Sequence, residues 1–196
     1  MKVSMKKNLL SLPVVTLIAI ATSGTVLAAE TTNLDVNFTA NIRETTCDMK
    51  LVGGAGSDTE QSITFGTDGQ VRIDDVRSGN VTAQFKIAII ECPSSLNSLK
   101  TTIKGNPSSA LPTALTNQLI ASGGANWSGV EIARVSAPTQ PFLINSTDDA
   151  KRLVWTKTEI ETQKEVPLIA TLKETKSGEM GIGAFQTIAT FEFTYE

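Results

Sequence analysis

The chain has 196 residues, 17 basic and 20 acidic side chains, a formal net charge of −3 and no histidine. The missing histidine removes Ser-His-Asp and Cys-His nucleophilic sites and most zinc centres. A weakly acidic balance without a basic cluster argues against nucleic acid as a partner.

Residues 1–28 read as a secretory signal peptide. MKVSMKKN carries three lysines, LLSLPVVTLIAIA is an apolar run, and Val26 and Ala28 occupy the minus-three and minus-one positions of a cleavage site. Cleavage after Ala28 is expected, with Ala29 as the alternative. Pro13 and the polar Thr22-Ser23-Gly24 leave the run short of the ~20 residues that span a bilayer. Residues 29–196 are then an exported, soluble protein with the length of one ordinary domain.

The mature chain begins with a strand pattern. Leu34, Val36, Phe38, Ala40 and Ile42 fall on one parity, and Asp35, Asn37, Thr39, Asn41 and Arg43 on the other. That alternation describes a strand with one apolar and one polar face. It lies ahead of Cys47, at a terminus, where order is usually poorest. The two cysteines, Cys47 and Cys92, are expected to form a disulfide in an exported chain. Closing a loop of that size stabilises a fold by roughly 4 kcal/mol on the chain-entropy estimate.

Further along, residues 81–90 (VTAQFKIAII) place Val81, Ala83, Phe85, Ile87 and Ile89 on one face. Shorter strands are predicted over 129–135, 140–145, 151–156 and 165–174, each rich in β-branched or aromatic residues. The segments between them carry Gly, Pro, Asn, Asp or Ser. Residues 111–121 form the one predicted helical turn, and the glycine-rich 51–58 (LVGGAGSD) reads as a flexible loop. Asp74-Asp75 and Asp148-Asp149 read as solvated turns, with no metal site and no cofactor expected. Trp127 and Trp155 are candidate sugar-stacking platforms, although a buried or edge aromatic is the commoner use.

The chain ends on a second amphipathic strand. Phe185, Ala189, Phe191, Phe193 and Tyr195 share the odd parity, while the even positions are mostly polar. Many short strands with turns at this spacing predict an all-β sandwich. Two readings of the ends remain. They pair with each other inside one closed sandwich, or the free arm before Cys47 serves a partner and leaves an open seam behind.

Together these features resemble the subunits of chaperone–usher pili of the type 1 fimbrial kind. The resemblance rests on the alternating arm before the first cysteine, FKIAIIEC leading into the second, GVEI followed by PFLIN, and the ending GAFQTIATFEFTY. In that ending a glycine, Gly183, stands fourteenth from the end and a tyrosine, Tyr195, is penultimate. The resemblance implies an incomplete immunoglobulin-like sandwich, the pilin fold, over residues 47–196, preceded by a donor-strand extension over residues 29–46. Leu34, Val36, Phe38, Ala40 and Ile42 would insert into a neighbouring subunit, with Ala40 where many relatives have glycine. Gly183, Phe185, Phe191, Phe193, Tyr195 and Glu196 would form the groove and the strand held by a periplasmic chaperone, which grips the terminal carboxylate. The implied partners are neighbouring fimbrial subunits, the chaperone and an outer-membrane usher. The implied product is a surface fimbrium contributing to cell adhesion, with this chain as shaft or minor adaptor.

The competing class is a secreted immunoglobulin-like or carbohydrate-binding domain with a closed sandwich. It draws on four N-x-S/T sequons, at Asn37, Asn80, Asn126 and Asn145. No residue constellation points to an enzyme.

Overall fold

The computed structural model describes residues 46–196, so the predicted signal peptide and nearly all of the predicted donor arm lie outside the described residues. The strands are β1 (Asp48–Val52), β2 (Ala55–Gly56), β3 (Gln61–Ser62), β4 (Val81–Glu91), β5 (Leu99–Lys104), β6 (Ala114–Thr116), β7 (Ser128–Arg134), β8 (Leu153–Val154), β9 (Glu165–Glu174) and β10 (Thr190–Tyr195). One short helix, α1 (Ile73–Arg77), precedes β4. A five-stranded sheet runs β1-β4-β9-β7-β6 and a three-stranded sheet runs β10-β5-β8, while β2 and β3 make a small hairpin. All the pairings are antiparallel.

The two larger sheets share one core. Phe85, Ile87 and Ile89 of β4, Val130 and Ile132 of β7, and Val166, Leu168 and Leu172 of β9 meet Leu99 and Ile103 of β5 and Leu153 of β8. The odd-parity face predicted for residues 81–90 is the face that β4 turns inward, with Phe85 and Phe191 in tilted ring contact across the core, centroids 5.9 Å apart. Strand β9 is central, and Pro167 falls just beyond its last β7 pair, Arg134–Leu168, where β9 has a strand on one side only. A residue without a backbone N–H is tolerated there.

Cys47 and Cys92 are bonded, with Cα atoms 4.2 Å apart. The bridge ties the start of β1 to the end of β4, whose first pair is Asp48 with Glu91. Trp155 is buried, its indole N–H donating to Thr101 Oγ1 at 2.9 Å, so it is a core residue and not a surface platform. Trp127 is half-buried beneath the Lys176 ammonium, 4.7 Å from the ring centroid.

Several predicted elements differ. Residues 140–145 are not a strand: the backbone N–H groups of Phe142, Leu143 and Asn145 donate to Ile132, Lys151 and Ile103 in turn, so no ladder forms. Asn145 has φ +63°, which breaks extension, and Phe142 and Ile144 plug the core instead. Residues 151–156 shrink to the two-residue β8. The predicted helical turn at 111–121 is strand β6 followed by a 3₁₀ turn at Ile120–Ser122. Half of residues 51–58 belong to the end of β1 and to β2, the first arm of the hairpin, with Ser57 and Glu60 bonded across its tip. Helix α1 was not anticipated; Asp74 and Asp75 sit in its first turn and Arg77 in its last, each favourable to the helix dipole.

Candidate functional site

Strand β10 pairs with β5 alone, from Thr190–Lys104 to Tyr195–Leu99, and is therefore an edge. On the other sheet β1 pairs with β4 alone and is likewise an edge. Tyr195 Oη lies 3.5 Å from the Cys47 carbonyl oxygen, placing the end of one edge beside the start of the other. Among the described residues no strand covers the free side of β10.

The parity predicted for the last segment holds from 185 to 195 without a break. Phe185, Thr187, Ala189, Phe191, Phe193 and Tyr195 are half-buried, and the even positions between them are exposed. The apolar members of this row pack against the core on one side and leave the other side uncovered, as do Met49 and Leu51 of β1. Phe193 and Tyr195 stack in a tilted pair, centroids 6.5 Å apart, and partial burial pushes the Tyr195 phenol above its usual range. A row of half-covered aromatics along an unpaired backbone edge is a template for another strand. The Thr187 hydroxyl lies buried within this row and has no hydrogen-bond partner among the described residues.

Each predicted site residue has a definite place. Phe185, Phe191, Phe193 and Tyr195 line one continuous wall. Gly183 is exposed and stands at the head of that wall, with φ +150°; a Cβ there would come within 2.7 Å of the Ala125 nitrogen. Its function is close backbone approach to residues 123–125. Glu196 is held at the other end. Its main-chain oxygen accepts from the N–H groups of Asn97 (2.9 Å) and Ser98 (2.7 Å), and its own N–H donates to Ser98 O. Its side chain takes Lys100 Nζ at 2.7 Å, and Lys100 also reaches Asp149 at 3.3 Å. The hydrogen bond that Lys100 donates to the Glu196 carboxylate raises the Lys100 pKa, and the Arg152 guanidinium holds Asp149 below the usual carboxylate range. Leu34, Val36, Phe38, Ala40 and Ile42 lie outside the described residues.

One residue that sequence reasoning missed fixes the wall. Asn117, 2 % exposed, donates through Nδ2 to Ala125 O and Ala184 O, both at 2.8 Å. Its Oδ1 accepts from Leu119 N at 3.0 Å and Gln186 N at 3.1 Å. With Gln118 N donating to Gln186 O at 2.8 Å, these bonds fasten the segment before β10 to the end of β6. An asparagine after an apolar stretch gives no sequence cue to that use.

Two of the sequon asparagines are engaged within the chain. Asn145 exchanges hydrogen bonds with both backbone groups of Gly105, and Asn126 Oδ1 accepts from Gly181 N at 2.6 Å. Of the paired aspartates, Asp148 is ion-paired with Lys151 and Asp149 with Arg152 in a turn, and Asp74 with Arg77 within α1.

Residues 36–196 match the family of fimbrial proteins. The chain is 26 % identical over 186 residues to the uncharacterized fimbrial-like protein YadM of Escherichia coli K12, covering 93 % of this chain and 96 % of that one. Its fold is similar to that of the P pilus rod subunit PapA, with a TM-score of 0.52 at 14 % identity over 83 % of this chain and all of that one. A chain from the structure of a chaperone–usher pilus is similar at TM-score 0.50 and 16 % identity, covering 85 % and 97 %. An edge-open β-sandwich, a bridged pair of strands and this family match over most of the length converge: the chain belongs to the fimbrial protein family, has the immunoglobulin-like pilin fold, and is a structural subunit of a pilus on the cell surface.

Proposed function

We propose that the subunit is polymerised by donor-strand exchange, in which residues 29–46 of one copy fill the groove beside β10 of the next. The observation that carries this reading is the wall from Phe185 to Tyr195, apolar at nearly every second residue, half-covered and, among the described residues, without a strand on its free side. An arm whose apolar positions run from residue 34 to 42 is the complement in both length and alternation. Strand addition supplies main-chain hydrogen bonds for affinity, and pockets for alternate side chains give it register. Burying Leu34, Val36, Phe38 and Ile42 contributes roughly 1.5–3 kcal/mol each.

An open groove with a bare edge needs a surrogate strand before assembly. In this reading a periplasmic chaperone supplies it and holds the chain terminus at Glu196, and an outer-membrane usher passes the subunit to the surface, where the fibre contributes to adhesion. Because Asn97 and Ser98 already occupy one oxygen of the terminus, the chaperone's cations reach the remaining oxygen and the Glu196 side chain. Removing Glu196 then lowers periplasmic yield; unchanged yield contradicts capture at this terminus.

The arm is tested by Phe38→Arg. The variant accepts a donor strand in its own groove and folds, yet inserts into no neighbour, so fibres are absent from cells producing it. Normal fibres from this variant contradict the reading.

A further inference from the structure

The groove has two ends of different character. At the Tyr195 end, Tyr195 Oη lies 3.5 Å from Cys47 O, so the N-terminal side of the described chain begins there. The opposite end, around Gly183, carries bare aliphatic surface. Ile182 is 84 % exposed, Ile188 57 % and Ile120 44 %, three of the five large exposed apolar residues among the described residues. Ile120 and Ile182 lie on abutting segments. The 3₁₀ turn that holds Ile120 is closed by Gly123 N donating to Ile120 O at 3.1 Å, and a Cβ on Gly183 would meet that same Gly123 through its carbonyl oxygen at 3.0 Å.

We infer that this bare end is a second interface, on which the folded body of a second copy of the chain seats once its arm is in the groove. The inference rests on the strand-exchange reading and adds to it a contact between bodies. Its first support is direction. A heterologous contact that does not close into a ring generates an open filament, and a donor body seated at the end opposite to Cys47 leaves the acceptor's own N-terminal side clear for the next contact. In that arrangement the donor strand runs antiparallel to β10, with Ile42 nearest Phe185 and Leu34 toward Tyr195. The second support is reach. Four residues lie between Ile42 and Cys47, a tether of at most ~17 Å, comparable with the ~15 Å radius of gyration of a domain this size. The donor's body is thus held against the groove mouth at an effective concentration on the order of millimolar, where even a weak apolar contact is populated. Ile120 and Ile182 are the surface that waits at that mouth.

Cysteine accessibility tests this in the whole mature chain. Ile182→Cys, Ala189→Cys and Thr59→Cys are placed singly and labelled with a maleimide in two states. One is fibres sheared from producing cells. The other is monomer carrying Phe38→Arg, with its groove either empty or filled by a peptide of residues 32–44. Thr59 sits on the exposed hairpin and labels equally in every state. Ala189→Cys, in the groove wall, labels in the empty monomer and is protected in both the filled monomer and the fibre. Ile182→Cys labels freely in both monomers and slows by about tenfold or more in the fibre, as expected of a side chain buried at an interface core. If Ile182→Cys labels as fast in the fibre as in the filled monomer while Ala189→Cys is protected, the body contact is overturned and strand exchange stands. If Ala189→Cys labels freely in the fibre, strand exchange falls and this inference with it.

Discussion

Strands β9 and β10 read alike in sequence and end up in different physical states. Both alternate apolar and polar residues, and β10 carries the bulkier side chains. In β9, Leu168 is 0 % exposed and Ala170 and Leu172 at most 5 %, where β4 and β7 both flank it. In β10, Phe191, Phe193 and Tyr195 remain half-buried, with β5 as the single neighbour among the described residues. Composition sets which face a strand turns inward. The number of neighbours sets how completely that face is covered, and in the proposed function the uncovered face is the one that polymerises.

Substitutions on the two strands separate these effects. Leu168→Ala, in the fully covered strand, costs about 2–5 kcal/mol. That loss is the same with the groove empty or filled, and chemical denaturation in the presence and absence of the arm peptide measures it. Asn117→Leu comes next. It orphans the Gln186 and Leu119 N–H groups, and each unsatisfied buried group costs roughly 1–3 kcal/mol. Because it loosens the head of the wall, peptide affinity falls with stability, which calorimetric titration separates. Phe191→Ala costs the empty domain only about 1–2 kcal/mol, since part of its surface is already wet, but it weakens the bound peptide by tenfold or more, a cost of about 1.4 kcal/mol or greater.

The smallest effect is electrostatic. Glu174 is held below the usual carboxylate range, chiefly by accepting from the Met180 N–H, and Asp149 by Arg152. A depressed folded-state pKa stabilises the fold above the ordinary carboxylate range, and that contribution is lost as pH falls through the depressed values. The melting temperature therefore drops slightly on acidification below about pH 4, and Glu174→Gln flattens part of that slope.

Much of the fold is legible in the sequence because period-two alternation is a direct imprint of a two-faced strand. It marks the inward face of β4 from Val81 to Ile89 and of β10 from Phe191 to Tyr195, although residues 185–189 keep the alternation without being strand, and two cysteines in an exported chain leave one pairing. Where non-local contacts decide, the imprint fails. Phe142 and Ile144 look like strand residues, yet they are core plugs on a loop whose N–H groups go to three different partners. The five-residue helix at Ile73–Arg77 is too short to show a period. Asn117 gains its importance only from Ala184 and Gln186, nearly seventy residues away. The half-covered state of β10 is legible only as one of two readings of the chain ends, favoured by the family resemblance: by itself its sequence is that of a strand whose second neighbour is present, and in the proposed function that neighbour belongs to another molecule.

The central claim is that the seam beside β10 is open and is filled from outside. Its most direct measurement is the melting temperature of the mature chain lacking residues 29–44, with a synthetic peptide of residues 32–44 and with the same peptide carrying Phe38→Arg. The native peptide is expected to raise it by about 10 °C or more, given 2–4 °C per kcal/mol for a domain of this size, and the substituted peptide to leave it nearly unchanged. A domain equally stable with and without the native peptide would mean a closed sandwich and contradict the claim.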